Sequence, residues 1–162
     1  MTVKFPIGDY RLIKNMLSEI IKEKTSADHL MYVSLKYTKT CDVILNLIER
    51  WRSMIELSFD AILKTALKKK KISELPKSPK DKIIAIKTNF KKHEAIQEAL
   101  QLYIFFRKVP ELNKTRIGDF RKNVALRVEE QNKITEINMD KLKEYYEILE
   151  RFISEVKHFL SK

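Results

Sequence analysis

Residues 27–71 contain neither glycine nor proline, so over these forty-five positions nothing in the chain forces a break. Tyr37, Cys41, Ile44, Ile48, Trp51, Ile55 and Ile62 recur at alternating spacings of three and four, with Ser58 as the one polar interruption. A second stripe, Val43, Leu47, Met54 and Ala61, widens the apolar face. A helix apolar over that much of its circumference has to be covered by other helices. Lys68, Lys69, Lys70 and Lys71 then close it where the helix dipole favours cations. The spacing predicts a helix over 27–70 at the centre of a helical body. Trp51 and Ile55 lie mid-stripe and are candidates for a partner interface, since large aromatics often anchor such faces. The competing home for Trp51 is the chain's own core.

The remaining segments supply the covering helices. Asp9 can cap a helix over 9–24, and Thr25-Ser26-Ala27-Asp28 reads as a capping box that opens the long one. Residues 73–78 form a short linker with Pro76. Ser78-Pro79-Lys80-Asp81 then combines an N-cap serine, a proline at the first helical position and an acid three residues after the cap. It opens a helix over 79–91 with Ile83, Ile84, Ile86 and Phe90 inward, continued by Ile96, Ala99, Leu100 and Tyr103. The run 102–106 ends in Phe105 and Phe106, and it fits either a helix end or a buried strand. Val124, Leu126 and Val128 alternate with Ala125, Arg127 and Glu129, the period of a half-buried strand. Gln131-Asn132-Lys133 is a turn candidate, and residues 134–137 return as a second strand. Asn138 caps a last helix over 139–160, with Leu142, Tyr145, Leu149, Phe152, Val156 and Phe159 in one stripe. The expected fold is mainly α: a helical bundle with one long central helix over residues 1–100, and a small α+β module over residues 101–162.

Composition removes several function classes. Two glycines, Gly8 and Gly118, leave no room for a phosphate loop or a dinucleotide fingerprint. No apolar run approaches a membrane span, and the N-terminus has no apolar signal segment, so a cytoplasmic protein with no membrane role is expected. The single cysteine, Cys41, lies on the apolar stripe and reads as core filler. His29 has no metal-ligand partner at helical spacing, and His93 sits among charged neighbours and is expected to be exposed. Glu129 and Glu130 are adjacent on a strand and point to opposite faces. No catalytic residues, metal site or cofactor are indicated, and a non-enzymatic role is expected.

The net charge of +11 is unevenly spread. Residues 64–92 hold eleven lysines against Glu74 and Asp81, a local +9. Residues 107–127 hold seven Lys or Arg against Glu111 and Asp119, a local +5. Such concentration fits a face for a polyanion, while a solvated lysine-rich surface would carry the same sequence. Lys68, Lys69, Lys70, Lys71, Lys77, Lys80, Lys91 and Lys92 are the candidate nucleic-acid contacts. The short 73–78 linker is expected to bring the end of one helix near the start of the next, pooling their charge.

Order and spacing together resemble the archaeal GINS replication proteins. Segment 48–67, IERWRSMIELSFDAILKTAL, is similar to the long helix of that family, where a basic tail, a short linker and a Leu-x-Pro-type helix start follow. Here Leu75, Pro76, Ser78, Pro79 and Lys80 stand at that place. Phe105, Phe106, Val109, Pro110 and Glu111 resemble the opening of the family's small β-containing module, and Gly118-Asp119-Phe120-Arg121-Lys122 resembles its Gly-x-Phe-Lys-Lys turn. The usual module glycines are mostly missing, and the last helix is longer. The resemblance implies a non-catalytic scaffold subunit in a homo- or hetero-tetramer. Its implied partners are the MCM helicase, a RecJ-like protein or primase, with weak, nonspecific DNA binding; Phe105 and Phe106 join Trp51 and Ile55 as candidate partner contacts. Two alternatives stand beside it. Arg151 and His158, seven apart on one helix face, resemble the Arg-x(4–6)-His motif of HEPN ribonucleases, also small helical bundles, whose inactive relatives belong to the same alternative. The other is a general basic helical nucleic-acid-binding module.

Overall fold

The computed structural model describes residues 7–161. The segment before them, read above as carrying no targeting signal, lies for residues 1–6 outside the described part. Helix α1 spans Ile7–His29 and runs on through a π-helical stretch, Leu30–Ser34, into the short α2, Leu35–Tyr37. The break expected at residues 25–26 is therefore not there. Thr25 donates its hydroxyl to the Ile21 carbonyl one turn back, so it bonds inside the helix and caps nothing. Ile20, Ala27, Met31 and Leu35 are buried in one continuous stripe, and that stripe carries the helix past the polar residues. Ile7 already lies in the helix, so Asp9 falls within it and does not start it.

The real break lies at Thr38–Thr40, inside the predicted long helix. Thr40 is extended (φ −124°, ψ 156°), and its hydroxyl accepts the Val43 N–H at 3.3 Å, making it the N-cap of α3, Cys41–Lys68. Tyr37, placed on the apolar stripe by spacing, lies before this break and is 79% exposed. Ser58 is buried in the stripe and satisfied by donating to the Met54 carbonyl at 2.7 Å.

Helix α4, Pro79–Asn89, starts as its sequence dictates: the Ser78 hydroxyl accepts the Asp81 N–H at 3.1 Å with Pro79 in the first turn. Ile86 and Phe90 are buried, but Ile84 faces outward. Helix α5, Glu94–Lys108, absorbs the aromatic run, so Phe105 and Phe106 are helical, and Val109–Glu111 forms a 3-10 turn. Strands β1 (Asn113–Ile117), β2 (Ala125–Glu130) and β3 (Lys133–Asn138) make an antiparallel three-stranded sheet in that order. The turn at Gln131-Asn132 sets the register, pairing Glu130 with Lys133 and Leu126 with Ile137. Strand β1 is an addition to the expected pair. Asn138 then accepts the Lys141 N–H at 2.8 Å and starts α6, Met139–Ser161.

The helices and the sheet share one core. Val124, Leu126, Val128 and Ile137 from the sheet region are buried in the same apolar cluster as α3, α5 and α6. The division at residue 100 falls inside α5, and α6 returns to pack on α3 and α5. The small module is thus a sheet inserted between two bundle helices. The same packing corrects the proposed partner interface. Trp51 is 2% exposed, stacked on Phe106 of α5 at 6.0 Å and edge-on to Tyr145 of α6 at 6.3 Å. Ile55 and Phe106 are fully buried, and of the four candidates only Phe105 is not buried. The double stripe on α3 is covered by α1, α5 and α6, so its breadth does not call for a second subunit.

Candidate nucleic-acid interface

The lysine run at the end of α3 is shaped by how that helix stops. The Lys70 N–H donates to the Leu67 carbonyl at 3.0 Å and the Lys71 N–H to Ala66 at 2.8 Å, the paired bonds of a Schellman ending. Lys70 takes the left-handed conformation this requires (φ 58°), a place where glycine is usual. Lys69 and Lys71, either side of that turn in the chain, both reach one ring. Their Nζ atoms lie 5.0 and 5.2 Å from the centre of Phe159 near the end of α6.

Phe159 links this ending to two more helix ends. It packs edge-on to Phe90 at 5.6 Å, just past the end of α4, and Phe90 lies 5.7 Å from His93, the N-cap position of α5. Lys91 and Lys92 are the two residues between Phe90 and His93, and both are exposed. The ends of α3, α4 and α6 and the start of α5 therefore meet at one end of the bundle. They gather Lys68, Lys69, Lys70, Lys71, Lys91 and Lys92 there. Among the described residues no carboxylate lies within ion-pair distance of Lys70, Lys71, Lys91 or Lys92.

Several cations elsewhere are neutralised. Lys24 lies 2.7 Å from both Asp28 and Glu150, and these ion pairs raise its pKa despite the opposing pull of burial. Arg52 bridges Glu49 and Glu56, Lys108 meets Glu130, and Arg127 meets Glu136. Positive charge is therefore concentrated where these helix ends bring six lysines together.

One of the sequence-predicted contacts, Lys80, sits apart. Lys82 pairs with Asp60 at 2.8 Å, eight residues before the end of α3, while Asn89 lines a groove with Lys70 and Lys71. Helix α4 therefore runs beside α3 in the same direction, and the 69–78 segment doubles back to reach its start. Lys80 opens α4 and lies about 16 Å, one eleven-residue helix, from Lys91. Of the charges expected to pool, Lys77 shares a groove with Lys70 and Lys71, and the end of α4 adds Lys91 and Lys92 to the cluster at the end of α3. Lys77 lines the same groove, of about 1200 Å³, between the doubling-back segment and α4, with an apolar floor that includes Ile72 and Ala85.

His93, expected in solvent, is half-buried, with Nδ1 2.8 Å from a Glu155 carboxylate oxygen. Arg151 donates to Glu98 at 3.2 Å and so ties α6 to α5. His158 is exposed on the same face of α6. Sequence spacing had no means of finding the His93–Glu155 pair, whose members are sixty-two residues apart. Cys41 is buried as expected, its thiol 3.3 Å from the Ala125 carbonyl, and burial pushes its pKa up. Among the described residues no group of three or more His, Cys, Asp or Glu side chains could hold a metal ion, and no helix is long and apolar enough to cross a membrane. No protein-family model, curated protein or solved structure matches the chain.

Proposed function

We propose that the protein is a non-catalytic helical scaffold whose basic bundle end docks on the phosphate backbone of a nucleic acid. The observation that carries this is the meeting of the ends of α3, α4 and α6 and the start of α5 around Phe159. Lysines from two separate stretches of chain converge there, and among the described residues Lys70, Lys71, Lys91 and Lys92 have no carboxylate within ion-pair distance. Lysine meets phosphate as a point charge without base readout, so binding is sequence-independent and salt-sensitive. The order of elements along the chain supports a more particular form, a subunit of a replication assembly of the GINS type. The shared core of sheet and helices weighs against that form insofar as it expects a separate β module.

The test is a salt series of DNA-binding titrations on the parent and on a variant with Lys68, Lys69, Lys70 and Lys71 all changed to Ala. The variant is expected to stay folded, to bind more weakly, and to lose about one unit of slope in log K against log salt for each lysine that touched phosphate. Equal binding at every salt concentration overturns the proposal. The replication form is tested separately, by co-elution of the purified protein with the MCM helicase and RecJ-like protein of its own organism.

A further inference from the structure

The second basic segment, residues 107–127, takes no part in the interface described above. It brings an aromatic side chain to the opposite end of α3. Phe120 sits in the loop before β2 with φ 69°, a conformation unusual for a bulky residue, and its ring is 77% exposed. The loop is clamped in place. The Phe120 N–H donates to the Lys39 carbonyl, the Arg121 N–H to Gly118 at 2.9 Å, and the Val124 N–H to Arg121 at 3.1 Å. Asp119, the residue before Phe120, accepts the Cys41 N–H. The backbone that presents Phe120 is thus fixed, while among the described residues the side chain stays largely uncovered.

The contact with Lys39 puts Phe120 beside the break between α2 and α3, where a second exposed aromatic, Tyr37, is found. The charge around the two rings is positive. Lys36 lies 5.8 Å from the centre of the Tyr37 ring, and Lys39, Arg121 and Lys122 adjoin the two aromatics in sequence. The two nearby acids, Asp42 and Asp119, are both engaged by Arg116, at 2.9 and 3.1 Å. Four cations therefore lie within two residues of the two exposed aromatics in the chain, with no unpaired acid among the residues named.

From this arrangement we infer a second site, a stacking platform for single-stranded nucleic acid, in which Phe120 and Tyr37 receive unpaired bases while Lys36, Lys39, Arg121 and Lys122 hold the flanking phosphates. Exposed aromatics interleaved with cations match the chemistry of a single strand, whose bases present free faces; a duplex keeps its bases stacked on each other. The rigid loop presents the ring without an ordering cost on binding. The twenty-eight-residue α3 separates this platform from the basic end by about 40 Å, so the two sites can be tested independently.

The experiment compares binding of a fluorescent ten-nucleotide thymidine strand and of a duplex of equal length by the parent, Phe120→Gly and Tyr37→Ala. Phe120→Gly removes the ring while suiting the left-handed backbone, so it is expected to fold at least as stably as the parent, which a urea titration checks. It is expected to weaken single-strand binding about tenfold and leave duplex binding unchanged, as is Tyr37→Ala. The same single-strand loss is expected when Phe120→Gly is made in the variant lacking Lys68, Lys69, Lys70 and Lys71, whatever that variant does to duplex binding. Unchanged single-strand affinity, or an equal loss for strand and duplex, overturns the inference. So does binding of phosphatidylserine vesicles that requires Phe120 while the single strand does not, which would make the rings a membrane contact.

Discussion

The Asp119 carboxylate accepts the backbone N–H of Cys41 at 2.9 Å, across seventy-eight residues of chain. Cys41 opens α3, where helix N–H groups have no partner of their own, so a loop from the sheet supplies what the local sequence does not. The same carboxylate accepts from Arg116 at 3.1 Å. This contact, with the Cys41 thiol against Ala125, pins the sheet to the start of the central helix.

The contact has a pH signature. The Cys41 N–H, and after it Arg116, holds the Asp119 carboxyl below the usual carboxylate range, against the opposing effect of desolvation. A depressed folded-state pKa stabilises the fold above the unfolded value of about 3.9, and that contribution is lost as pH falls through the lower folded value. Asp119→Asn is therefore expected to lower the urea midpoint near neutral pH. Parent and variant are expected to converge below about pH 4. A gap that stays constant down to pH 3 would show that the carboxylate's charge is not what stabilises the contact.

Lys70 offers a stabilising change. Its left-handed conformation costs an L-residue about 1 kcal/mol that glycine does not incur. Glycine is the usual residue at this position of a Schellman ending. Lys70→Gly is expected to raise the unfolding free energy by roughly 0.5–1 kcal/mol, after the entropy that glycine gains in the unfolded chain is deducted. Equilibrium urea unfolding measures this, and a loss of stability would contradict it.

Local grammar was legible in the sequence where it acts over three or four residues. Ser78 with Pro79, Asn138 before the last helix, the alternation through Val124, Leu126 and Val128, and the Gln131-Asn132 turn all predict the elements observed. Boundaries were lost where tertiary packing outweighs local signals. The stripe through Ile20, Ala27, Met31 and Leu35 holds one helix across Thr25 and Ser26. Thr40 starts α3 although the apolar spacing runs unbroken past it. Strand β1 carries a single apolar side chain, Ile117, and no alternation, so pairing with β2 is what defines it. Of the basic end, the lysines were visible but their arrangement was not. The meeting of Phe159, Phe90 and His93 depends on the path of the 69–78 segment, which composition does not specify.

Gly118 is a position where backbone and contact act together. Its φ is +64°, and an added Cβ would lie 2.7 Å from the Asn123 side-chain oxygen. Gly118→Ala is expected to cost about 1–2 kcal/mol from the left-handed backbone, with the close contact adding to it. Adding Asn123→Ala to Gly118→Ala is expected to recover the contact part and leave the backbone part. Full recovery in the double variant would mean that the backbone conformation at Gly118 is not strained by a side chain.

Trp51 decides between a helix face that serves a partner and one that serves the fold. In the structure its ring fills the space among α3, α5 and α6, stacked on Phe106 and edge-on to Tyr145, whose burial pushes its own phenol up to about 12. Phe59 makes the equivalent contacts two turns on, with Tyr103 at 5.4 Å and Phe152 at 5.7 Å, so the seam continues along the interior. Removing the indole leaves a cavity lined by α3, α5 and α6 that the rigid helices cannot close, and Trp51→Ala is expected to cost about 3–5 kcal/mol. An interface tryptophan would behave differently: its loss would weaken association and leave the isolated chain as stable as before. Urea unfolding and sedimentation velocity on the same samples separate the two. A marked fall in midpoint, with no change in the sedimentation of the folded fraction, is expected. Unchanged stability with a shift toward smaller species would return Trp51 to the surface of an assembly and overturn its place in the core.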